Sequence, residues 1–394
     1  MTNVKAPIVD HYDKVAFYRD SDSSRLTRFT DESRTVTVNF DENWISDLKR
    51  RVFNDNRRLF RDFDYNWALE DQNFSTPMEQ YIQLKLLDVL ADVSPDHPNY
   101  LKFGNICFRI SNTANMNAES FTSESYKYVC VTSAYVKYIK EFLYTFFEIY
   151  AKSGADNASS GRKRTSGQAV YDELSRRPLE HETSLARLIH TGFSYSRYKI
   201  PLDLAPPVWN HPLFGEHIKA EYGPLIIGAD LFLALHELGH ILEHTFKSTR
   251  RNHREEIEAD RAASSLFLIA SARDPVLASV HARAPALAFS VLRHFNMIRR
   301  VAKIVDKSIS DPDQMAGELE EERLLLQRVQ VYRNFVADNF MARDFADAYW
   351  SGLDDFFVLI AASQVWLLRW AGQRTKLSDL IKRPSRAKHP EATR

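Results

Sequence analysis

Leu231-Phe232-Leu233-Ala234-Leu235-His236-Glu237-Leu238-Gly239-His240-Ile241-Leu242 is an apolar run interrupted by two histidines and one glutamate. Its leucines, Phe232 and Ile241 predict a buried helix rather than a surface loop. Two histidines four residues apart share one helix face, about a turn from each other, so both imidazoles can reach one metal ion. Burying them with Glu237 and no partner costs roughly several kcal/mol, so something must satisfy these groups. A metal does this well. Core histidines hydrogen-bonded to nearby carboxylates are the plainer alternative. Glu237, beside the first histidine, is placed to act as general base toward a water that such an ion activates. An H-E-x-x-H string arises by chance in roughly one chain in thirty of this length, so the surroundings carry the reading.

Those surroundings include Glu255-Glu256-Ile257-Glu258-Ala259-Asp260, shortly after the motif. A helix beginning near Arg254 is predicted there, with an apolar stripe through Ala259, Ala262, Ala263, Leu266, Phe267 and Ile269. A catalytic zinc takes three protein ligands and keeps one position open. His236, His240 and Glu256 are the expected ligands. Asp260, one turn beyond Glu256, is expected to accept the free N–H of a ligand histidine and fix its tautomer. Glu258 is the rival third ligand, but two residues beyond Glu256 it points to nearly the opposite face, as does Glu255. His244 falls a further turn along the motif helix, too far from an ion held by His236 and His240. Glu243 and Phe246 occupy the places where metzincins require a glycine turn and a later histidine, which excludes that class.

The chain has 394 residues, 44% of them hydrophobic, which suffices for one large core or two ordinary ones. Its 52 acidic and 52 basic side chains cancel, so bulk nucleic-acid binding is not expected. Cys107 and Cys130 form no disulfide framework and fit a reducing compartment. The first thirty residues lack an apolar signal core, and the longest apolar candidates, Leu231–Leu242 and Phe356–Leu368, are short for a membrane span. A cytoplasmic protein is expected.

Residues up to Asp31 read as an irregular arm, Thr35–Phe40 as a strand and Trp44–Phe53 as a helix. Further helices are expected at Met78–Val93, Tyr135–Tyr150 (capped by Thr132 or Ser133) and Ser184–Ile189, with strands at Phe103–Ile110 and Tyr126–Val131. The stretch from Ser153 to Arg164 reads as a loop, Arg162-Lys163-Arg164 as its solvated basic end, and Pro201–Pro212 as irregular. Beyond the Glu256 helix, Pro275–Ile304 with a break near Pro285, Met315–Asn339 and Leu353–Trp370 predict a helical bundle. The tail from Lys382 is basic.

HELGH followed by EIEAD resembles the gluzincin metallopeptidases, especially the HtpX and CAAX prenyl endopeptidase family. Asn117-Ala118 followed by Tyr128-Val129-Cys130-Val131-Thr132-Ser133 and a helix is similar to that family's Asn-Ala segment and the strand after it. The resemblance covers residues 115–150 and 230–270. It departs in lacking the family's membrane helices and in the stretch Gly154–Gly228, which reads as an insertion. ImmA/IrrE-type peptidases and Lit-type phage-exclusion peptidases are soluble relatives with similar motifs; the former usually carry Asn where this chain has Asp260.

The resemblance implies a mainly α chain with a small β-sheet (α+β), a zincin-like metallopeptidase core and a C-terminal helical bundle. The expected division is 1–100, a mixed helical region; 101–272, the catalytic core with an insertion around 153–229; and 273–394, the helical region. The implied activity is zinc-dependent cleavage of a protein or peptide substrate, with Glu237 as catalytic base. Asn117, Ala118, Val129 and Val131 would mark an edge strand, Tyr126–Thr132, to which an extended peptide adds. A non-catalytic zinc protein on the same scaffold is the alternative. His281, His294 and His389 are candidate donors to a developing oxyanion.

Overall fold

Helices surround one small sheet among the residues that the computed structural model describes: 77–90, 106–111, 116, 118–123, 126–154, 166–198, 208, 211–243, 253–280, 283–305, 312–339 and 343–370. The arm, the strand at 35–40, the helix at 44–53, most of the 153–164 and 201–212 stretches and the basic tail lie outside them. So do Asn117, His244, His281 and His389.

The sheet has the order β1-β3-β2, with β1 at Ile106–Ser111, β2 at Ala118–Ser123 and β3 at Tyr126–Thr132. β3 pairs parallel with β1 and antiparallel with β2, so Val129 faces Phe108 on one side and Ser120 on the other. Val131 likewise sits between Ile110 and Ala118. Placing the sheet edge at Tyr126–Thr132 is therefore incorrect. A run as rich in β-branched and aromatic residues as Tyr126–Val131 is what a central, doubly covered strand requires, and Val129 and Val131 are fully buried.

Helix α1 (Pro77–Leu90) closes one edge of this sheet. The Gln83 side chain accepts from the Phe108 amide and donates to the Ile106 carbonyl, and Glu79 accepts from the Ile110 amide at 2.7 Å. Such side-chain pairing satisfies backbone groups that an edge strand otherwise exposes. β2 is left as the terminal strand on the other side, and it packs against the motif helix.

β3 runs directly into α2 (Ser133–Lys152), whose N-cap is Thr132, its hydroxyl accepting from the Tyr135 amide. Most of the described part of the 153–229 stretch is helical: α3 (Ser166–Arg176) and α4 (Glu182–Phe193), the latter followed by a π-helical turn at Ser194–Tyr198. Next come α5 (Glu216–Glu243) and α6 (His253–Arg273), then a short turn at Pro275–Ala278. The last helices are α7 (Arg283–Val305), α8 (Pro312–Asn339) and α9 (Arg343–Trp370). Asp355 of α9 accepts from Ser166 and from the Gly167 amide, holding the start of α3 against α9.

One continuous apolar cluster extends from Met78 to Ala362 and draws on the sheet and every one of these helices. At its centre lies α5, longer than the apolar run alone indicates. By length and composition Glu216–Leu242 is apolar enough to cross a membrane, but its most apolar part is wholly buried inside the protein, as in a core helix. Asp230 on α5 is fully buried, with no hydrogen-bond partner for either carboxylate oxygen among the described residues. Burial holds its pKa well above the ordinary aspartate value. Gly228 lets α5 meet α7: a Cβ there would stand 2.6 Å from the Ala284 methyl.

Candidate metal centre

The crossing of α5 and α6 makes the site. A Cβ on Gly239 would stand 2.8 Å from the Ala259 carbonyl oxygen and 3.1 Å from its Cα, so the two backbones approach as only glycine permits. Ala259 immediately precedes Asp260 and lies three residues after Glu256. Glycine within the motif thus sets the distance between the histidine-bearing helix and the carboxylate-bearing one.

At this crossing His236, His240 and Glu256 form a triangle. The His236 and His240 Nε2 atoms are 3.1 Å apart, and the Glu256 oxygens lie 3.3 Å from the first and 3.4 Å from the second. The two rings meet at 86°, edge to face. Donors about 2.0–2.1 Å from a tetrahedral zinc stand about 3.3 Å apart, a spacing that these three donors match. The histidines are buried, whereas 23% of the Glu256 side-chain surface is exposed, which gives the triangle an approach from solvent. Glu258 pairs instead with Arg254 on its own helix, at 2.7 Å. Of the two candidate third ligands, Glu256 is the one brought to the histidines.

Asp260 is buried and stands 2.8 Å from His236 Nδ1. That nitrogen donates, which leaves the Nε2 lone pair for the triangle. Burial pushes the His236 pKa down, but the Asp260 charge more than reverses this and raises it to about 9. Burial would raise the carboxyl of Asp260, yet the Arg328 guanidinium and then His236 hold it below the ordinary range. Glu256 is likewise lowered: its hydrogen bonds to both histidines and the charge of Arg328 outweigh burial.

Arg328 is the residue that the sequence reading missed. It comes from α8, 68 positions after Asp260, and its Nε and Nη2 bind the two Asp260 oxygens at 2.6 and 2.8 Å. Its Nη1 reaches Glu256 at 3.1 Å. A signal was available, because Leu325 and Tyr332, one turn away on either side, are buried. An arginine on the apolar face of a helix requires a carboxylate partner. Glu237 is 2% exposed and lies close enough for its charge to act on Arg328.

His294 is not part of the centre. It is fully buried, with Nδ1 2.6 Å from the Tyr138 hydroxyl and its ring against Phe142, and burial lowers its pKa to about 3. A neutral core imidazole of this kind has no route to an oxyanion. Ala118 opens β2, opposite Val131 of the central strand.

Exchange of Asp260 for asparagine is expected to weaken zinc binding about 10–100-fold, measured by competition with a chromophoric chelator. An unchanged affinity would show that His236 needs no such partner. A zinc ion bound at this triangle would have to displace the proton that Asp260 favours on His236. In the metal-free protein this raised pKa stabilises the fold below about 6.5, and that contribution is lost as pH rises through about 9. Zinc affinity is therefore expected to fall about tenfold for each pH unit below about 9, with about one proton released per ion. Calorimetry in two buffers of different ionisation enthalpy reads that proton directly; a pH-independent affinity between 7 and 9 would contradict the assignment.

No family model matches the chain, and neither a curated protein nor a solved structure matches it.

Proposed function

We propose that this protein is a zinc-dependent endopeptidase with a zincin-like core, and that His236, His240 and Glu256 hold the ion. The observation that carries this reading is the triangle of donors beside a buried glutamate. Glu237 directly follows a ligand histidine, where a purely structural zinc site has no use for a carboxylate. Bound zinc supplies a Lewis acid for a carbonyl oxygen and lowers the pKa of a water.

The chain's own residues do the rest. Glu237 takes a proton from the attacking water as the new C–O bond forms at the peptide carbonyl carbon. As the C–N bond breaks, Glu237 returns that proton to the leaving amine, so acid and amine are released and the base is restored. Asp260 keeps His236 in the ligating tautomer, and Arg328 keeps Asp260 ionised.

For an extended substrate, β2 is the strand that supports docking, beginning at Ala118. α1 side chains occupy the β1 edge, and β3 is paired on both sides. Main-chain hydrogen bonds from a peptide added to β2 would give affinity with little sequence preference. The balanced charge and the two cysteines suit a cytoplasmic setting and a protein substrate.

The test is bound zinc, measured on the purified protein, followed by a search for cleavage of extract proteins that a chelator abolishes and zinc restores. Zinc together with chelator-sensitive cleavage supports the peptidase. Zinc without such cleavage would favour a regulatory zinc protein on the same scaffold.

A further inference from the structure

Arg328 makes more contacts than an anchor for Asp260 needs. Its Nε–H and one Nη2–H form the side-on pair that grips the two Asp260 oxygens. The end-on pair, Nη1 and Nη2, faces the donor triangle: Nη1 lies 3.1 Å from Glu256 Oε2, and Nη2 lies 3.4 Å from both ring nitrogens of His236. Neither ring nitrogen can accept once the site is filled. Nδ1 donates to Asp260 and Nε2 is spent as a ligand. With the ion bound, Nη1 and Nη2 still stand beside the donor triangle, where an oxygen brought to the ion can accept from them.

The charges agree. Glu237, Glu256 and Asp260 bring three negative charges to the centre, and Arg328 with a divalent ion balances them. An arginine so close to the ligands opposes cation binding by simple repulsion, so zinc affinity alone does not account for it. Its positive charge and the Nη–H groups beside the triangle do suit an oxygen that gains negative charge during reaction. Of the histidines considered as such donors, His294 is unsuited, since it is locked in the core.

We propose that Arg328, besides positioning Asp260, is a catalytic residue whose Nη groups donate to the carbonyl oxygen of the peptide under attack. This rests on the peptidase reading above. The same donors should hold an oxyanion placed at the open position of the ion, which permits a test that needs no substrate.

The test loads full-length protein with cobalt(II) as a spectroscopic probe and titrates it with inorganic phosphate, read from the visible absorption bands. Wild type is expected to bind phosphate with a change in those bands. Arg328→Gln, at saturating cobalt, is expected to bind it at least about tenfold more weakly, as loss of a charge-assisted donor demands. Arg328→Lys keeps the charge without the fork and should recover part of that loss. If Arg328 only positioned Asp260, cobalt affinity would fall and phosphate affinity at saturating cobalt would not. Equal phosphate affinity in wild type and both variants would overturn the proposal and leave the metal site standing. Failure of wild type to take up cobalt or zinc would overturn the peptidase reading and this inference with it. Should Arg328→Gln not fold, a phosphate affinity in Arg328→Lys equal to that of wild type would also overturn it.

Discussion

Exchange of Glu237 for glutamine is expected to leave zinc content unchanged and to lower peptide turnover by about 10²–10⁴-fold, the usual contribution of a positioned general base. The amide fills the same space in the buried α5 helix but cannot take a proton from the attacking water. Glu237 is not one of the three triangle donors, so zinc retention should survive. The measurement is a comparison of new protein termini in cells expressing wild type and Glu237→Gln at equal levels. Termini present only with wild type identify substrates as well as the base. Equal termini from both would mean that Glu237 is not the base.

The second large effect is expected at Gly239, which touches no ion. A valine there drives its Cβ and methyls into the Ala259 carbonyl and Cα, and backbone atoms cannot swing aside as a side-chain end can. The two helices must separate, or the fold loses about 1–3 kcal/mol, more than a residue better suited to helices than glycine returns. Separation carries Glu256 away from both histidines, because the ligand is three residues from the clash. A shift of about 1 Å is enough to cost on the order of 100-fold in a site that depends on position. Gly239→Val is therefore expected to lose zinc affinity by about that factor while a helical circular-dichroism spectrum is retained. Full zinc affinity with a wild-type melting temperature would show that the crossing is looser than its geometry indicates.

Much of this centre was legible in the sequence because the information is local. His236 and His240 are one turn apart on one helix, and Glu256 and Asp260 are one turn apart on the next. Helical periodicity therefore favoured Glu256 over its rival Glu258, which proves to pair with Arg254. A cap at Thr132 or Ser133 was readable for the same reason, and it is Thr132. What was not legible depends on partners distant in the chain. Tyr126–Thr132 could be read as a strand, but its central place follows from pairing with Ala118–Ser123 and with Ile106–Ser111, the latter 21 residues away. Nor could Glu79 and Gln83 be known to occupy the β1 edge, since side-chain capping of a strand leaves no periodic trace. Arg328 joins the centre through the packing of α8 on α6, and the length of α5 was underestimated because Pro224, Gly228 and Asp230 interrupt the apolar pattern without ending the helix.

The surroundings of a bound zinc ion test the donor triangle most directly. X-ray absorption on protein purified without added metal, then loaded with one equivalent of zinc, reads the ligand atoms and their distances. The expected result is one ion per chain with nitrogen and oxygen neighbours at about 2.0–2.1 Å, the scattering pattern of two imidazoles, and its loss in His240→Ala. A shell containing sulfur at about 2.3 Å, or no zinc retained by wild type, would contradict it.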